Sequence, residues 1–256
     1  LTKADGWLTL AGLFWLKEGE NRFGSDRTND MVFPAGKAPA FMGSIFLDHG
    51  LTKVAVKPGV QVNIVDSTEI TEAVLYSDAN AKATVLEHGS LTWFIIKRGE
   101  KLGVRLRDRD HPARLQFKGI ERYPVDPAWR VTARFEPYPS AKSIPIVNVK
   151  GVVENMSCPG SLHFTLQNKN YQLDALAEPN DAQLFIIFRD ETSGQETYGS
   201  GRFLYAAKPN EKNETILDFN KSYNPPCAFT PFATCPLPPK QNELNLAIRA
   251  GEKSYH

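Results

Sequence analysis

Two carboxylates, two arginines and a group of phenol and amide side chains carry the most suggestive chemistry in this chain. Asp218 leads a polar run with Asn220, Tyr223 and Asn224 into Pro225 and Pro226, where fixed φ angles can hold short polar side chains at low entropy cost. Asp218 is therefore a candidate general base or water-orienting carboxylate. Asp108 ends the run LGVRLRD and could donate a proton if burial raised its pKa, since paired carboxylates work as acid and base only when their proton affinities are separated. Tyr198 joins these two as a catalytic candidate. Arg105, Arg202, Asn220 and Asn224 form the substrate-binding set, the arginines for an anionic or hydroxylated group. The set suggests a hydrolase acting on a small polar metabolite or carbohydrate through a carboxylate–arginine pocket. The same polar side chains can equally stitch a loop to its scaffold by Asx-type hydrogen bonds.

Other chemistry has a weaker claim. Cys227 and Cys235 can pair with each other and leave Cys158 free, or all three can be thiols. A Cys227 nucleophile needs an exposed thiol beside a base. The segment offers no histidine or third thiolate at a metal-site spacing, so no metal is expected. His111, after Asp108 and Asp110, is the best placed histidine for proton transfer. Signatures of zinc proteases, nucleophile-elbow serine hydrolases, P-loops, dinucleotide folds and EF-hands are missing, and no cofactor is expected. A flavin-binding barrel is conceivable only by analogy of architecture. The rival to an enzyme is a non-catalytic small-ligand-binding or protein-interaction module, with Tyr223, Phe229 and Phe232 as its contact surface.

Bulk composition narrows partners without naming one. With 41% hydrophobic residues, 23% charged residues and a net charge of +1, the chain has no electrostatic commitment to nucleic acid or to an acidic membrane. A small polar molecule is the expected partner, and oligomeric state stays open. The longest apolar run, WLTLAGLFWL at 7–16, is about half of a membrane span, so no crossing is expected. The first residue is leucine, which leaves the compartment open and leaves room for an export signal upstream of a soluble protein.

The elements that would position these residues read as β throughout. Short apolar runs broken by glycine fill the chain to about residue 109 and predict a smaller N-terminal β lobe. Residues 110–256 predict the main β region, although one continuous domain is also compatible. Leu102, Val104 and Leu106 alternate with Gly103, Arg105 and Arg107 after a turn at 98–101. One strand face is thus apolar and the other holds guanidinium groups, as solvated charges or as an anion-binding row. Leu162, Phe164 and Leu166 pass through QNKN into Tyr171 and Leu173, a hairpin pattern. Strands at 215–218 and 244–249 are expected to bracket a proline-rich rim loop at 218–239. The fold expected is mostly β, with an antiparallel barrel or sandwich core, the N-terminal lobe and the long proline-rich loop near the C-terminus.

Several blocks resemble one family. WLTLAGLFWL at 7–16, NRFGSD at 21–26, RGEKLGVRLRD at 98–108, TSGQETY at 192–198 with GRF at 201–203, and above all DFNKSYNPPCAFT at 218–230 with CPLPP at 235–239 are similar to the DUF1684 family of uncharacterised proteins. The resemblance supplies no activity. It implies only that Arg105, Asp108, Tyr198, Arg202, Asp218, Asn220, Asn224 and Cys227 fall in family signature blocks.

Overall fold

The computed structural model describes residues 1–255, which belong to two compact units, Leu1–Phe117 and Lys118–His256. In the first unit, strands β1 (Leu10–Trp15), β2 (Gly19–Gly24), β3 (Met31–Val32), β4 (Gly43–Asp48), β5 (Leu51–Val56), β6 (Asn63–Ile64), β7 (Glu72–Leu75), β8 (Leu86–His88), β9 (Leu91–Arg98) and β10 (Lys101–Asp108) precede one short helix, α1 (Pro112–Leu115). They form two five-stranded sheets, in the orders β1-β10-β9-β8-β6 and β3-β2-β4-β5-β7. All pairings are antiparallel except β2 with β3. Alternation decides which face is apolar: Trp93, Ile95, Val104 and Leu106 point into a core shared with Phe23, Ile45 and Val54 of the other sheet. The β9–β10 turn falls where the sequence places it, with Gly99 at φ 55°.

The second unit contains β11 (Arg130–Val147), β12 (Val153–Leu166), β13 (Lys169–Ala175), β14 (Gln183–Phe188), β15 (Arg202–Ala207) and β16 (Glu214–Asp218). β13-β12-β11-β16 is one sheet and β14-β15 another. The hairpin of β12 and β13 turns on Gln167 and Asn168, both at positive φ (49° and 61°), as a type I′ turn requires. Its core gathers Leu162, Leu173, Ile186, Phe188, Leu204, Leu217 and Phe219.

The chain is largely β, but the expectation of a closed barrel or a sandwich core with a small N-terminal lobe is corrected. Among the described residues there are four separate sheets, none of them closed. In the first unit both sheets run out onto short strands, β3 and β6 having two residues each, too short for edge to meet edge.

The strand expected at 244–249 is also not formed. Leu244, Leu246, Ile248 and Ala250 do alternate inward, as read from the sequence. Leu244 N–H donates to the Arg189 carbonyl (2.8 Å) and the Leu246 carbonyl accepts from Glu191 N–H (3.1 Å), but further on side chains take over: Ile248 N–H donates to Asp190 Oδ1 (3.3 Å), and the Ile248 and Ala250 carbonyls accept from Arg202 (2.9 and 2.5 Å). From Ile248 onward a buried guanidinium takes the place of a neighbouring strand.

Candidate functional site

The seven residues expected to form a carboxylate–arginine pocket divide between the units, Arg105 and Asp108 in the first and the other five in the second. Asp108, at the end of β10, accepts from Lys37 Nζ (2.6 Å), Ser90 Oγ (2.7 Å) and the Asp110 N–H (3.0 Å). Burial works to raise its pKa, yet these three donors outweigh burial and hold the carboxyl below its usual range. That is the setting of a fixed anion. Arg105 is 3% exposed, with its guanidinium 5.6 Å from the Trp7 ring centroid, so it is not a solvated surface charge. His111 is the N-cap of α1, its Nδ1 accepting from the Ala113 N–H at 3.2 Å.

The Asp108 cluster has a pH consequence. A folded-state pKa below the unfolded value of about 3.9 stabilises fully above that value, and the gain is lost as pH falls through the folded pKa. Asp108→Asn is therefore expected to be less stable than the parent at neutral pH and to converge with it at acid pH, as the carboxylate titrates through its depressed folded pKa. Urea unfolding at both pH values checks this; an equal deficit at both would assign the effect to packing.

In the second unit Arg202 opens β15 and is fully buried. Its Nη2 donates to Asp190 Oδ2 (2.8 Å), while Asp190 Oδ1 accepts from the N–H and hydroxyl of Thr192 (2.8 and 2.5 Å). Asp218 caps the 3-10 turn Phe219–Lys221, its Oδ1 accepting from Asn220 N (3.2 Å) and Nδ2 (3.0 Å). Asn220 also exchanges hydrogen bonds with the backbone of Asp126 (3.1 and 2.9 Å). Asn224 donates through N to Glu252 Oε2 and through Nδ2 to the Lys253 carbonyl, both at 2.7 Å. These amides sew the start of the proline-rich segment to residues 126, 252 and 253. The three rings proposed as a contact surface are half-buried, Tyr223 packing on Phe203 and Tyr205 and Phe229 on Tyr255.

Tyr198 leads elsewhere, to the thiols. The 3-10 turn Pro226–Ala228 presents Cys227, with Pro225 as its N-cap. The other arm of the loop is clipped to the β11 end by Val149 N–H to the Cys235 carbonyl (3.0 Å) and Leu237 N–H to the Val147 carbonyl (2.8 Å). These two anchors bring Cys227 N–H to 3.1 Å from Cys235 Sγ, and both cysteines are free thiols. Tyr198 Oη donates to the Cys227 carbonyl at 3.2 Å.

The electrostatics separate the three cysteines. A hydrogen bond from the Cys235 thiol, against burial, and then the Tyr198 hydroxyl and Lys150 charge, hold the Cys227 thiol below its ordinary value. Tyr198 itself is pushed up to about 12 by burial and by Cys227, so it stays a hydrogen-bond donor at neutral pH. Cys158 is pushed up to about 11, chiefly by burial and next by Asp174. Cys227 is half-buried, whereas Cys235 is 5% exposed, so the activated thiol belongs to the less buried residue of the pair. Among the described residues no group of three or more His, Cys, Asp or Glu side chains is gathered to hold a metal. The signal available in the sequence was the eight-residue Cys227/Cys235 spacing with a proline beside each thiol.

A family model described as "Protein of unknown function (DUF1684)" matches residues 115–253. No curated protein matches. Among solved structures, an uncharacterized protein of Haloarcula marismortui, determined in solution by NMR, is 31% identical; the match covers 55% of this chain and 78% of that one, with a TM-score of 0.47. A structure titled for phosphothreonine-dependent FHA domain interactions matches at 14% identity over 37% of this chain and 92% of its own, with a TM-score of 0.26.

Proposed function

Since this chain belongs to the DUF1684 family of proteins of unknown function, we propose from its own geometry that it is a dithiol protein exchanging with disulfide substrates through Cys227 and Cys235. The observation that carries the reading is Cys235 Sγ held at 3.1 Å from the Cys227 main-chain nitrogen, with the Cys235 thiol hydrogen-bonded to the Cys227 thiol and the less buried cysteine also the activated one. Cys227 thiolate would attack one sulfur of a substrate disulfide, the other sulfur leaving as a thiolate. Cys235 would then attack Cys227 Sγ in the mixed disulfide, releasing the second substrate thiol and closing a Cys227–Cys235 bond. The sum is one substrate disulfide reduced to two thiols and one protein dithiol oxidised.

A hydrolase working through Asp218 is a proposal with less behind it. Asp218 Oδ1 is occupied by Asn220, and the Arg202 guanidinium by Asp190 and main-chain carbonyls.

The thiol reading is tested with oxidised glutathione followed by intact-protein mass spectrometry. The parent is expected to lose two hydrogens as an internal disulfide, Cys235→Ser to trap glutathione on Cys227, and Cys227→Ser to react at least about tenfold more slowly. Equal glutathionylation of Cys227→Ser, or a parent that accumulates only mixed disulfide, would overturn it.

A further inference from the structure

The first unit holds a cleft of about 400 Å³, in the range of small-molecule sites, that the thiol chemistry does not use. Its walls are aliphatic: Ile64, Val65, Ala83 and Val85. At its base is Arg107, on the polar face of β10, in register with Thr92 of β9 and through it with Glu87 of β8. Arg107 is half-buried, and its guanidinium lies 5.1 Å from the Phe94 ring centroid. Its Nε is buried and makes no hydrogen bond among the described residues. The other arginine of the lining, Arg109, donates from Nη2 to the Gly89 carbonyl at 2.5 Å. Burial pulls the Arg107 pKa down, and the opposing pull of Asp5 does not restore it. A guanidinium fork taken partly out of water over an aromatic ring is thus left short of an acceptor.

We infer that this cleft binds a small organic monocarboxylate with an apolar tail, its carboxylate on Arg107 and Thr92 and its tail along the aliphatic wall. The charge of the lining selects the class. Asp5, Asp66 and Glu87 face Lys82, Arg107 and Arg109 in the lining, so the cleft is balanced in charge and offers a dianion such as a phosphate ester no net positive field, whereas a single carboxylate can be met by the one fork. An amine would find those carboxylates but leave Arg107 unmet. The inference stands apart from the thiol reading, because none of its residues belongs to the second unit.

Hexanoate is the probe, titrated against the ¹⁵N-labelled full chain. Saturable shifts are expected at the amides of Thr92, Ala83 and Arg107 and at the Arg107 Nε–H. Arg107→Met, which keeps the length and removes a poorly solvated charge, is expected to stay folded and to bind hexanoate at least about tenfold more weakly. Arg107→Lys keeps the charge without the fork and should fall between the two. Absence of saturable shifts, unchanged affinity in Arg107→Met, equal binding of hexylamine, or displacement of hexanoate by equimolar inorganic phosphate would each overturn the assignment.

Discussion

Replacing Arg202 by methionine is expected to destabilise the second unit by about 3–5 kcal/mol, the cost of leaving one member of a buried ion pair alone. Methionine matches the aliphatic stem, so the loss is not one of volume. What disappears is a fork that reaches Asp190 Oδ2 at 2.8 Å and the carbonyls of Ile248, Ala250 and Glu252 at 2.9, 2.5 and 3.3 Å. Both ion-pair side chains are 0% exposed, so water cannot replace any of these partners without opening the unit. Arg202→Lys should recover little, because one ammonium cannot span a carboxylate and three carbonyls. The double variant Arg202→Met, Asp190→Asn should cost less than the sum of its singles, since the stranded carboxylate is gone. Urea unfolding followed by circular dichroism measures all four; a loss under about 1 kcal/mol for Arg202→Met would show that the segment at 244–250 does not depend on this pair.

The same residue shows where sequence reading runs out. Its place in a signature block and beside a glycine made Arg202 look like a ligand for substrate, and nothing in a one-dimensional pattern says that its partners lie twelve residues upstream and about fifty downstream. The alternation of Leu244, Leu246 and Ile248 was legible because it records which side faces the core. That side chains rather than a strand meet the backbone of Ile248 and Ala250 was not legible, because a ladder and a guanidinium satisfy the same carbonyls. The hairpins at Gly99 and at Gln167–Asn168 were read correctly, since turn residues fix them locally. Closure into a barrel is a property of sheet edges, and two-residue strands such as β3 and β6 leave no clear periodic trace. For the candidate site, the thiol spacing was visible, but the 3.1 Å approach of Cys227 to Cys235 depends on how Val149 and Leu237 clip the loop. Likewise the guanidinium face of β10 followed from alternation, whereas the covering of Arg105 by Trp7 did not.

Trp93→Ala is expected to cost the first unit about 3–5 kcal/mol, as for other large aromatic truncations in closed cores. Trp93 is the largest fully buried side chain among the described residues, with ring centroids of Phe23 and Phe33 at 5.7 and 5.3 Å. Those two rings also contact each other at 5.5 Å, so the three aromatics brace one another and the walls of the new cavity cannot readily collapse. Trp93→Phe separates volume from polarity. The indole Nε1–H is buried with no hydrogen-bond partner among the described residues, so its removal gives back a desolvation cost and offsets part of the lost contact area. The phenylalanine variant is therefore expected to lose well under half of what alanine loses. Chemical denaturation of the three proteins gives the comparison, with equal slopes required for it to be read as stability. If phenylalanine and alanine proved equally destabilising, the indole ring would be held by its polar edge rather than by packing, and the aromatic trio would not be the centre of this core.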